Sequence, residues 1–364
     1  MYDRSYQQMK ENWERLIAFG PHPFGSRALT ECSEYLLQAL SDSAGNARAS
    51  TFTADGFQAE SWSLQIDGAE ITSWLFLGSG SSAGFRGRLR YAGKNRVWDM
   101  YTWDRYMVVD AFDNVCAYIT VRGNGKAIPQ TLAEGNSELP HFIVGAEEAA
   151  CMAKAADREA TVTGAASTHV LANAVGRDLI ATVAPGEKRV LLCAHYDTVY
   201  NTPGAYDNSS GPAVLLEVAR RLRGRSLKTG LEIALMDGEE FRLLGSTHLA
   251  RTEHAGVQLV INVDGVGREP LLEVWSGPET LERQLRHCFA QNPEIRDVLY
   301  TCPPPPGSDQ APYYALGIPA CTLTFNDQGT LHSPEDLYDD DKLDNMAVMV
   351  RIVLHLLEKL GILE

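Results

Sequence analysis

From about residue 173 to residue 364, short apolar runs alternate with amphipathic segments, and this alternation constrains the fold more than any other feature. Runs such as KRVLLCAH and VQLVINVD are short and continuous, as expected of buried strands. Segments between them, such as GPAVLLEVARRL, carry apolar residues at helical spacing. The pattern predicts an α/β fold, in which a mostly parallel, mixed central sheet is flanked by helices on both faces.

The preceding residues differ in character and predict a second unit. Two amphipathic helices come first, with apolar residues at spacings of three, four and seven: Met9, Trp13, Leu16 and Ile17, then Leu29, Cys32, Leu36 and Leu40. Residues 50–66 alternate around a glycine and predict two short strands. Residues 67–172 are rich in glycine and short β-like runs, and end in a helical stretch. We therefore expect a domain of residues 1–66 and 173–364, with residues 67–172 as a mostly-β insertion.

Charge and composition limit the possible partners. The formal net charge is -15, so we expect neither nucleic acid nor a membrane surface as partner. The hydrophobic fraction of 45% is enough to build a sizeable core. The seven cysteines form no CxxC pair, which favours reduced thiols over a disulfide framework. The first residues contain no apolar signal segment, so the expected location is cytoplasmic, or secreted if a signal peptide has been removed.

Metal-binding residue types follow three successive apolar runs. His195 ends the first run, Glu239 and Glu240 follow the second, and Asp264 ends the third. In an open α/β sheet, ligands bind beyond the carboxyl ends of the strands, so these side chains are expected at one edge. Two loops add further candidates, Asp207 in GAYDNSSG and His332 in GTLHSPED.

Two histidines and three carboxylates suit a pair of divalent cations such as zinc, with one carboxylate bridging them and a water or hydroxide held between. One of the two adjacent glutamates could coordinate while the other acts as general base, and Asp197 is placed to orient the His195 imidazole. Each motif also has an ordinary interpretation: a polar strand end, a solvated glutamate pair, or a simple turn. Their joint order at strand ends favours the metal site.

These residues resemble the di-zinc aminopeptidase-type metallopeptidases, metallopeptidase family twenty-eight. The resemblance covers roughly residues 175–364, and the helical opening is similar to the family's amino-terminal signature. The motifs that carry it are HYDT, GAYDNSSG, DGEEFRLLGS, INVDGVG, GSDQAPYYALGIPA and LHSPEDLYD. The resemblance implies a zinc exopeptidase fold of the phosphorylase/hydrolase-like type. It also implies that the insertion is similar to a protease-associated domain.

The resemblance assigns a role to each candidate residue. It implies that His195 and Asp264 hold one zinc, that Glu240 and His332 hold the other, and that Asp207 bridges the two ions. It implies further that Glu239 is the general base and that Asp197 orients His195.

The chain departs from the family pattern at several positions. Gln310 stands where a histidine often follows the SD pair, and prolines 303–306 stand where some members have an oxyanion-binding tyrosine. Tyr206, Tyr313 and Tyr314 are candidates to replace that tyrosine. Arg242 stands where a glycine is common.

The function expected from these features is aminopeptidase activity on peptides with a free amino terminus. A carboxypeptidase would need a cation for the terminal carboxylate, for which Arg242 and Arg268 are the candidates, and a dipeptidase of the same fold is also open. A different class of function is a non-catalytic binding module built on a peptidase scaffold.

Overall fold

Two long strands, β1 (Arg48–Ile66) and β8 (Thr161–Ala184), contribute residues to two separate units of the chain. The structure is a computed structural model that describes residues 6–364 except residues 99, 134, 293 and 296. Unit 1 contains the residues up to Ala54 together with Val175–Glu364, and unit 2 contains Asp55–Ala174. The boundaries expected from the sequence, after residues 66 and 172, stay a prediction.

The remaining elements of unit 1 alternate between strands and helices after two initial helices. They are α1 (Gln7–Ile17), α2 (Arg27–Ala44), β9 (Arg189–His195), α4 (Ser210–Leu222), β10 (Gly230–Met236), α5 (Leu244–Thr252), β11 (Val257–Val266), β12 (Leu272–Gly277), α6 (Glu279–Phe289), β13 (Val298–Thr301), α7 (Gln310–Ala315), β14 (Ala320–Phe325) and α8 (Asp340–Lys359).

The sheet of unit 1 is mixed, with a parallel centre. Its order is β13-β12-β14-β11-β9-β10-β8. The neighbours β10, β9, β11 and β14 run parallel, whereas β8 is antiparallel to β10 and β12 is antiparallel to β14. The predicted α/β class is confirmed. Because β9, β10 and β11 are parallel neighbours, their carboxyl ends lie at the same edge of the sheet.

Helices cover both faces of this sheet because alternate residues of a strand point to opposite sides. Leu191 and Cys193 of β9 pack in one hydrophobic cluster with Leu249 of α5 and Tyr313 of α7. Ala194 instead faces α4, where a Cβ on Gly211 would lie only 2.9 Å from the Ala194 side chain. The chain therefore needs glycine at the start of α4 to bring this helix close to β9.

Unit 2 is mostly β, and its other elements are β2 (Ala69–Glu70), β3 (Trp74–Leu75), β4 (Ser82–Val97), β5 (Tyr101–Val109), β6 (Val115–Val121), β7 (His141–Val144) and α3 (Ala149–Asp157). Its strands follow the order β8-β4-β5-β6-β7-β3. Its hydrophobic core includes Leu89, Ile119 and Phe142, with Met152 of α3 packed against them. The similarity of this unit to a protease-associated domain stays a prediction.

One expectation for local structure was wrong. Residues 50–66 do not form two strands around a glycine turn; β1 is a single strand of 19 residues that passes through Gly56. Gly56 is absent from the positive-φ glycines, so the chain stays extended there, and β1 continues because it pairs with β8, a strand of 24 residues.

All seven cysteines are free thiols. Within the described ranges, we find no helix that is both long and apolar enough to cross a membrane.

A buried polar cluster in unit 2 surrounds the imidazole of His141. Its Nε2 lies 3.0 Å from the Ser137 hydroxyl, and its Nδ1 lies 3.4 Å from the Arg105 guanidinium. The Tyr118 ring packs against it with centroids 4.9 Å apart. Burial and the Arg105 charge together lower the pKa of His141 to about 3.

This shift predicts that unit 2 loses stability in mild acid. The unfolded chain binds a proton on His141 below about pH 6.5 while the folded unit does not, so the free energy of unfolding falls as pH decreases below that value. The expected contribution of His141 is a loss of about 2 kcal/mol between pH 7.5 and pH 5. It can be measured by urea unfolding monitored by tryptophan fluorescence, because Trp62, Trp74, Trp98 and Trp103 lie in unit 2.

The matched variant is His141→Gln, which keeps a hydrogen-bonding side chain but does not titrate. Between pH 7.5 and pH 5 its free energy of unfolding should fall by about 2 kcal/mol less than that of the wild type. Equal pH dependence in the two proteins would contradict the prediction.

Candidate metal centre

The candidate ligands lie at the edge where the parallel strands of unit 1 end. His195 is the last residue of β9, and Asp264 lies near the end of β11. Glu239 and Glu240 follow β10 in the turn that leads to α5. Two loops complete the set: Asp207 precedes α4 and His332 precedes α8.

The first cluster is centred on the His195 imidazole. Its Nε2 lies 3.1 Å from Asp264 Oδ1 and 3.2 Å from Asp207 Oδ1. Its Nδ1 lies 3.2 Å from the main-chain carbonyl of Asp197. A carbonyl oxygen can only accept, so the neutral ring carries its proton on Nδ1 and directs the Nε2 lone pair at the two carboxylates. That is the tautomer a metal ligand needs.

The second cluster is centred on the His332 imidazole and shares one residue with the first. The Nε2 atom of His332 lies 3.0 Å from Glu240 Oε2 and 3.1 Å from Asp207 Oδ2. Asp207 therefore offers one oxygen to each cluster. In both clusters the possible ligand atoms lie within 4.8 Å of one another.

The donor types and their spacing fit zinc. Two ligand atoms bonded at about 2.0–2.1 Å to one tetrahedral zinc are roughly 3.3 Å apart. The contacts in the two clusters, 3.0 to 3.2 Å, are close to that value. Imidazole nitrogen and carboxylate oxygen are also the donors that zinc accepts in proteins.

Electrostatics also favour a cation at this edge. Burial raises the pKa of Glu240 to about 7, an effect that the His332 charge opposes and that Asp207 increases. Burial likewise raises the pKa of Glu239 well above its usual range; His195 opposes the rise, and Asp264 adds to it. Burial alone would lower the pKa of both histidines, yet the surrounding carboxylates raise it. A bound divalent cation would take the place of the protons that this negative charge attracts.

Asp197 is fully buried behind both clusters and has more partners than the sequence indicated. Its Oδ1 lies 3.5 Å from His195 Nδ1, which agrees with the contact expected of an orienting carboxylate. It also accepts hydrogen bonds from two main-chain amides: Glu239 N–H at 2.9 Å on Oδ1 and Glu240 N–H at 3.2 Å on Oδ2. One carboxylate thus connects the end of β9 with the turn after β10.

The turn that carries Asp207 is fixed to β11 by its neighbours. Asn208 Oδ1 accepts from Gly211 N–H at 2.9 Å and from Gly265 N–H at 3.2 Å, and its amide group donates to the Val263 carbonyl at 3.2 Å. The turn is therefore not closed by local hydrogen bonds of its Asn and Ser side chains alone, because two of the Asn208 bonds reach β11. It holds Asp207 next to the strand end that carries Asp264.

Residues near the SD pair support Asp264 from the other side. Ser308 donates from its hydroxyl to Asp264 Oδ2, and Asn262 donates to the Ser308 hydroxyl at 2.7 Å. Gln310, where the family often has a histidine, is buried; it accepts from Thr322 at 2.8 Å and donates to the Pro305 carbonyl at 2.8 Å. Its contacts are structural. The resemblance indicated Ser308 only as part of a motif, and its contact with Asp264 was not predicted.

The three candidate tyrosines lie in different surroundings. Tyr313 is buried in the hydrophobic cluster of α5 and α7, and Tyr314 packs against the same cluster. Tyr206 is buried beside Gly265, where a Cβ would lie 2.4 Å from its ring, and burial raises its pKa well above the usual range. No contact of the described residues assigns an oxyanion partner.

The two candidate arginines have different partners. Arg268 pairs with Asp327 at 3.1 Å and with Asp339 at 3.6 Å. Arg242 stacks on the Phe241 ring with its guanidinium 4.4 Å from the centroid.

Strained backbone is found at the loops of this site. Arg242, Leu243 and His332 all have positive φ, at 75°, 55° and 49°. Residues other than glycine rarely adopt this region. The surroundings of His332 support its conformation, because Asn201 donates to its carbonyl at 2.9 Å. Such strain is commonly found at functional sites.

Comparison with known proteins identifies a family and a fold for this chain. The sequence profile of Peptidase family M28 matches residues 178–357, which contain every candidate ligand together with Asp197 and Glu239. Aminopeptidase YwaD of Bacillus subtilis (strain 168) is 26% identical over 240 residues, covering 60% of this chain and 51% of that protein. The matched part of the chain thus spans about half the length of this relative.

Two solved structures share the fold. BSAP, a zinc aminopeptidase from Bacillus subtilis, superposes with a TM-score of 0.71 at 18% identity, covering 96% of this chain and 94% of that one. An aminopeptidase from Aneurinibacillus sp. strain AM-1 gives 0.71 at 20% identity, covering 96% and 95%. At these identities the likeness concerns the fold, and the expected fold is confirmed. The family expected from the sequence motifs is confirmed by the profile match.

The contacts of Asp197 predict that its carboxylate stabilises the turn after β10. In Asp197→Asn, an NH₂ group replaces one oxygen and faces one of the two main-chain N–H donors. A buried donor without an acceptor costs about 1–3 kcal/mol, so the free energy of unfolding of the variant should fall by that amount. Urea unfolding of the metal-free protein measures it.

The control is Asp42→Asn on α2, whose carboxylate accepts from Gln38 on the exposed helix surface. That change should alter the free energy of unfolding by less than about 0.5 kcal/mol. If Asp197→Asn is equally harmless, the two amide contacts do not support the turn.

Proposed function

The chain belongs to peptidase family M28 through residues 178–357, and from this premise we propose that it is a zinc-dependent aminopeptidase that removes the amino-terminal residue of peptides. The single observation that carries the proposal is the shared carboxylate of Asp207, which offers one oxygen to each of two histidine-centred clusters. A side chain in this position suits a bridging ligand between two ions.

The proposed site holds two zinc ions. His195 and Asp264 would hold one, Glu240 and His332 the other, and Asp207 would bind both. Zinc there supplies Lewis-acid chemistry, which polarises a carbonyl group and makes water acidic enough to attack near neutral pH. The buried carboxylates and the Nε2 orientation of both imidazoles support this assignment.

Glu239 is the proposed catalytic residue. Its amide N–H is held by Asp197, and its buried carboxyl group lies in the combined field of His195 and Asp264. From there it would take the proton of the attacking water and deliver it to the departing amine. Asp197 would act through others, by orienting His195 and fixing the main chain of Glu239.

The charges of the site favour an aminopeptidase over a carboxypeptidase. A free α-ammonium group is attracted to the carboxylate oxygens of an edge that carries Asp207, Glu239, Glu240 and Asp264. Of the two arginines considered as carboxylate clamps, Arg268 is paired with two aspartates, whereas Arg242 packs over the Phe241 ring, a contact that uses none of its N–H donors. A dipeptidase stays compatible with this site, because a dipeptide also carries a free amine.

The completeness of the ligand set argues against a non-catalytic binding module. A scaffold that only binds proteins would have no need to hold three carboxylates and two histidines in contact with one another, three of the five buried and two half-buried, because removing charged groups from water is costly. Here all five side chains and Glu239 lie at one edge of the sheet.

The variant Glu239→Gln tests the catalytic assignment. The amide keeps the size of the side chain but cannot take a proton, so kcat on an amino-acid anilide should fall by about 10² to 10⁴-fold. Zinc content per chain, measured by elemental analysis, should stay at the wild-type value, because Glu239 is not a proposed ligand.

The matched control is Glu31→Gln on the exposed surface of α2, where the carboxylate pairs with Arg27. Its activity should equal that of the wild type. If Glu239→Gln retains full activity with normal zinc, Glu239 is not the general base. Zinc-free wild-type protein with full activity would refute the metal assignment itself.

Blocked peptides test the choice of terminus. We expect cleavage of a free tripeptide and of its carboxyl-amidated form, and no cleavage of its amino-acetylated form. The reverse pattern, with the acetylated peptide cleaved and the amidated peptide resistant, would identify a carboxypeptidase.

A further inference from the structure

Asp336 lies four residues after His332, and its buried carboxylate contacts the main chain that carries Asp207. It accepts from Tyr206 N–H at 2.8 and 2.9 Å on its two oxygens and from Asp207 N–H at 3.1 Å on Oδ2. Its own main-chain carbonyl accepts from Ala205 N–H at 3.3 Å. Three successive amides of the Asp207 turn are thus bound by one residue of the His332 loop.

Lys342, in the first turn of α8, is the cationic partner of Asp336. Its ammonium group lies 2.6 Å from Asp336 Oδ1 and donates to the Leu337 carbonyl at 3.2 Å. Both residues are fully buried, with side-chain exposures of 0%. A buried ion pair is weak evidence for stability by itself, since removing two charges from water is costly. Its position behind a shared ligand suggests another use.

The pair is also connected to a second carboxylate. Lys342 lies 3.3 Å from Asp327 Oδ2, and the same oxygen lies 3.1 Å from Arg268 at the outer side of the loop. The ammonium group is thereby fixed from two sides. This fixes the Asp336 carboxylate in turn and leaves it little freedom to move away from the Asp207 turn.

The geometry has a direct consequence for Asp207. Its two oxygens contact different histidines, at 3.2 and 3.1 Å, so a small rotation of its main chain would lengthen one contact or the other. Asp336 holds that main chain from the same short loop that carries His332. One segment therefore sets both the position of the second histidine and the direction of the shared carboxylate.

We propose that Asp336 and Lys342 are positioning residues, which hold the Asp207 carboxylate where it serves both metal clusters and thereby set the zinc affinity of the centre. The inference rests on the proposed zinc function. Neither residue is a ligand, and both act through the main chain of Asp207. Loss of residues that orient a metal ligand typically weakens metal binding by about 10- to 100-fold.

Two single variants and their combination separate positioning from simple charge balance. Asp336→Asn replaces one acceptor oxygen with an NH₂ group and leaves Lys342 without its closest anion. Lys342→Met keeps the apolar stem and removes the ammonium group. The double variant restores the balance of buried charge, but it does not restore the second acceptor oxygen for the amides of Tyr206 and Asp207.

Zinc titration of the metal-free proteins against a competing chelator gives the readout. We expect two zinc ions per wild-type chain and at least 10-fold weaker binding of one of them in Asp336→Asn and Lys342→Met. In the double variant the thermal midpoint of the metal-free protein should recover relative to the single variants, while zinc affinity should stay low. Recovery of both the thermal midpoint and the zinc affinity would mean that the pair only balances charge, which overturns the proposal.

The control is Glu358→Gln on the same helix, whose exposed carboxylate pairs with Arg225 at 3.3 Å. Its zinc affinity should match that of the wild type. If the wild type binds two zinc ions and all three variants bind them within 2-fold of its affinity, the positioning role is wrong and the proposed function stands. If the wild type binds no zinc, the proposed function itself fails.

A measurement on the unaltered protein covers the case in which the variants do not fold. Hydrogen exchange of the metal-free wild type should show that the amides of residues 205–207 are protected, because the proposed clamp does not depend on zinc. Free exchange of these amides, with protection only after zinc is added, would mean that the metal orders the turn and would overturn the inference.

Discussion

The carboxylate of Asp207 contacts two imidazoles at once, and the arrangement of unit 1 makes this double contact possible. Parallel packing of β9, β10 and β11 delivers the first histidine and the glutamate turn to one edge. Glycine at the start of α4 allows that helix to approach β9, so that the preceding turn reaches the same edge. A loop beyond β14 then brings His332 to the opposite oxygen of the same carboxylate. Four separate parts of the chain thus meet at one side chain.

Strands and loops contribute to this site in different ways. The strands determine where each segment ends, because the pairing register fixes the position of every strand relative to its neighbours. The loops are fixed by side chains that bind main-chain amides: Asp197 binds the turn after β10, Asn208 binds the end of β11, and Asp336 binds the turn before α4. Such bonds restrain the backbone itself. This explains how a site built largely on loops has nearly equal distances, 3.0 to 3.2 Å, between its histidine nitrogens and carboxylate oxygens.

Much of the fold was readable from the sequence, because it depends on periodicity. The two initial helices bury the predicted residues except Ile17, which is half-buried, and β9 and β10 end where the polar residues begin, whereas β11 continues two residues past Asp264. The prediction of a turn at Gly56 was wrong: glycine often marks a turn, yet here the strand continues because a long partner strand pairs with it. Local composition carries no information about such a partner.

The candidate ligands could be predicted because they follow strand ends and match family motifs. The residues that support them could not. Asp336 and Lys342 occur in an acidic stretch that indicates a solvated helix start, and only the folded chain brings Asp336 to amides more than 120 residues earlier, with Lys342 as its partner. Ser308 likewise reaches Asp264 only across the sheet. The family motifs contain some of these residues, but the contacts that give them a purpose depend on tertiary structure.

The order of the ligands along the chain has a consequence for biosynthesis. His195 emerges from the ribosome well before His332, and the loop with Asp336 and the helix with Lys342 come later still. A nascent chain can therefore complete the sheet edge with His195 and Asp264 while the second cluster is missing. Under the proposed function, the second cluster can take its metal only after His332 has been translated, so a nascent chain that lacks this residue would be unable to cleave peptides.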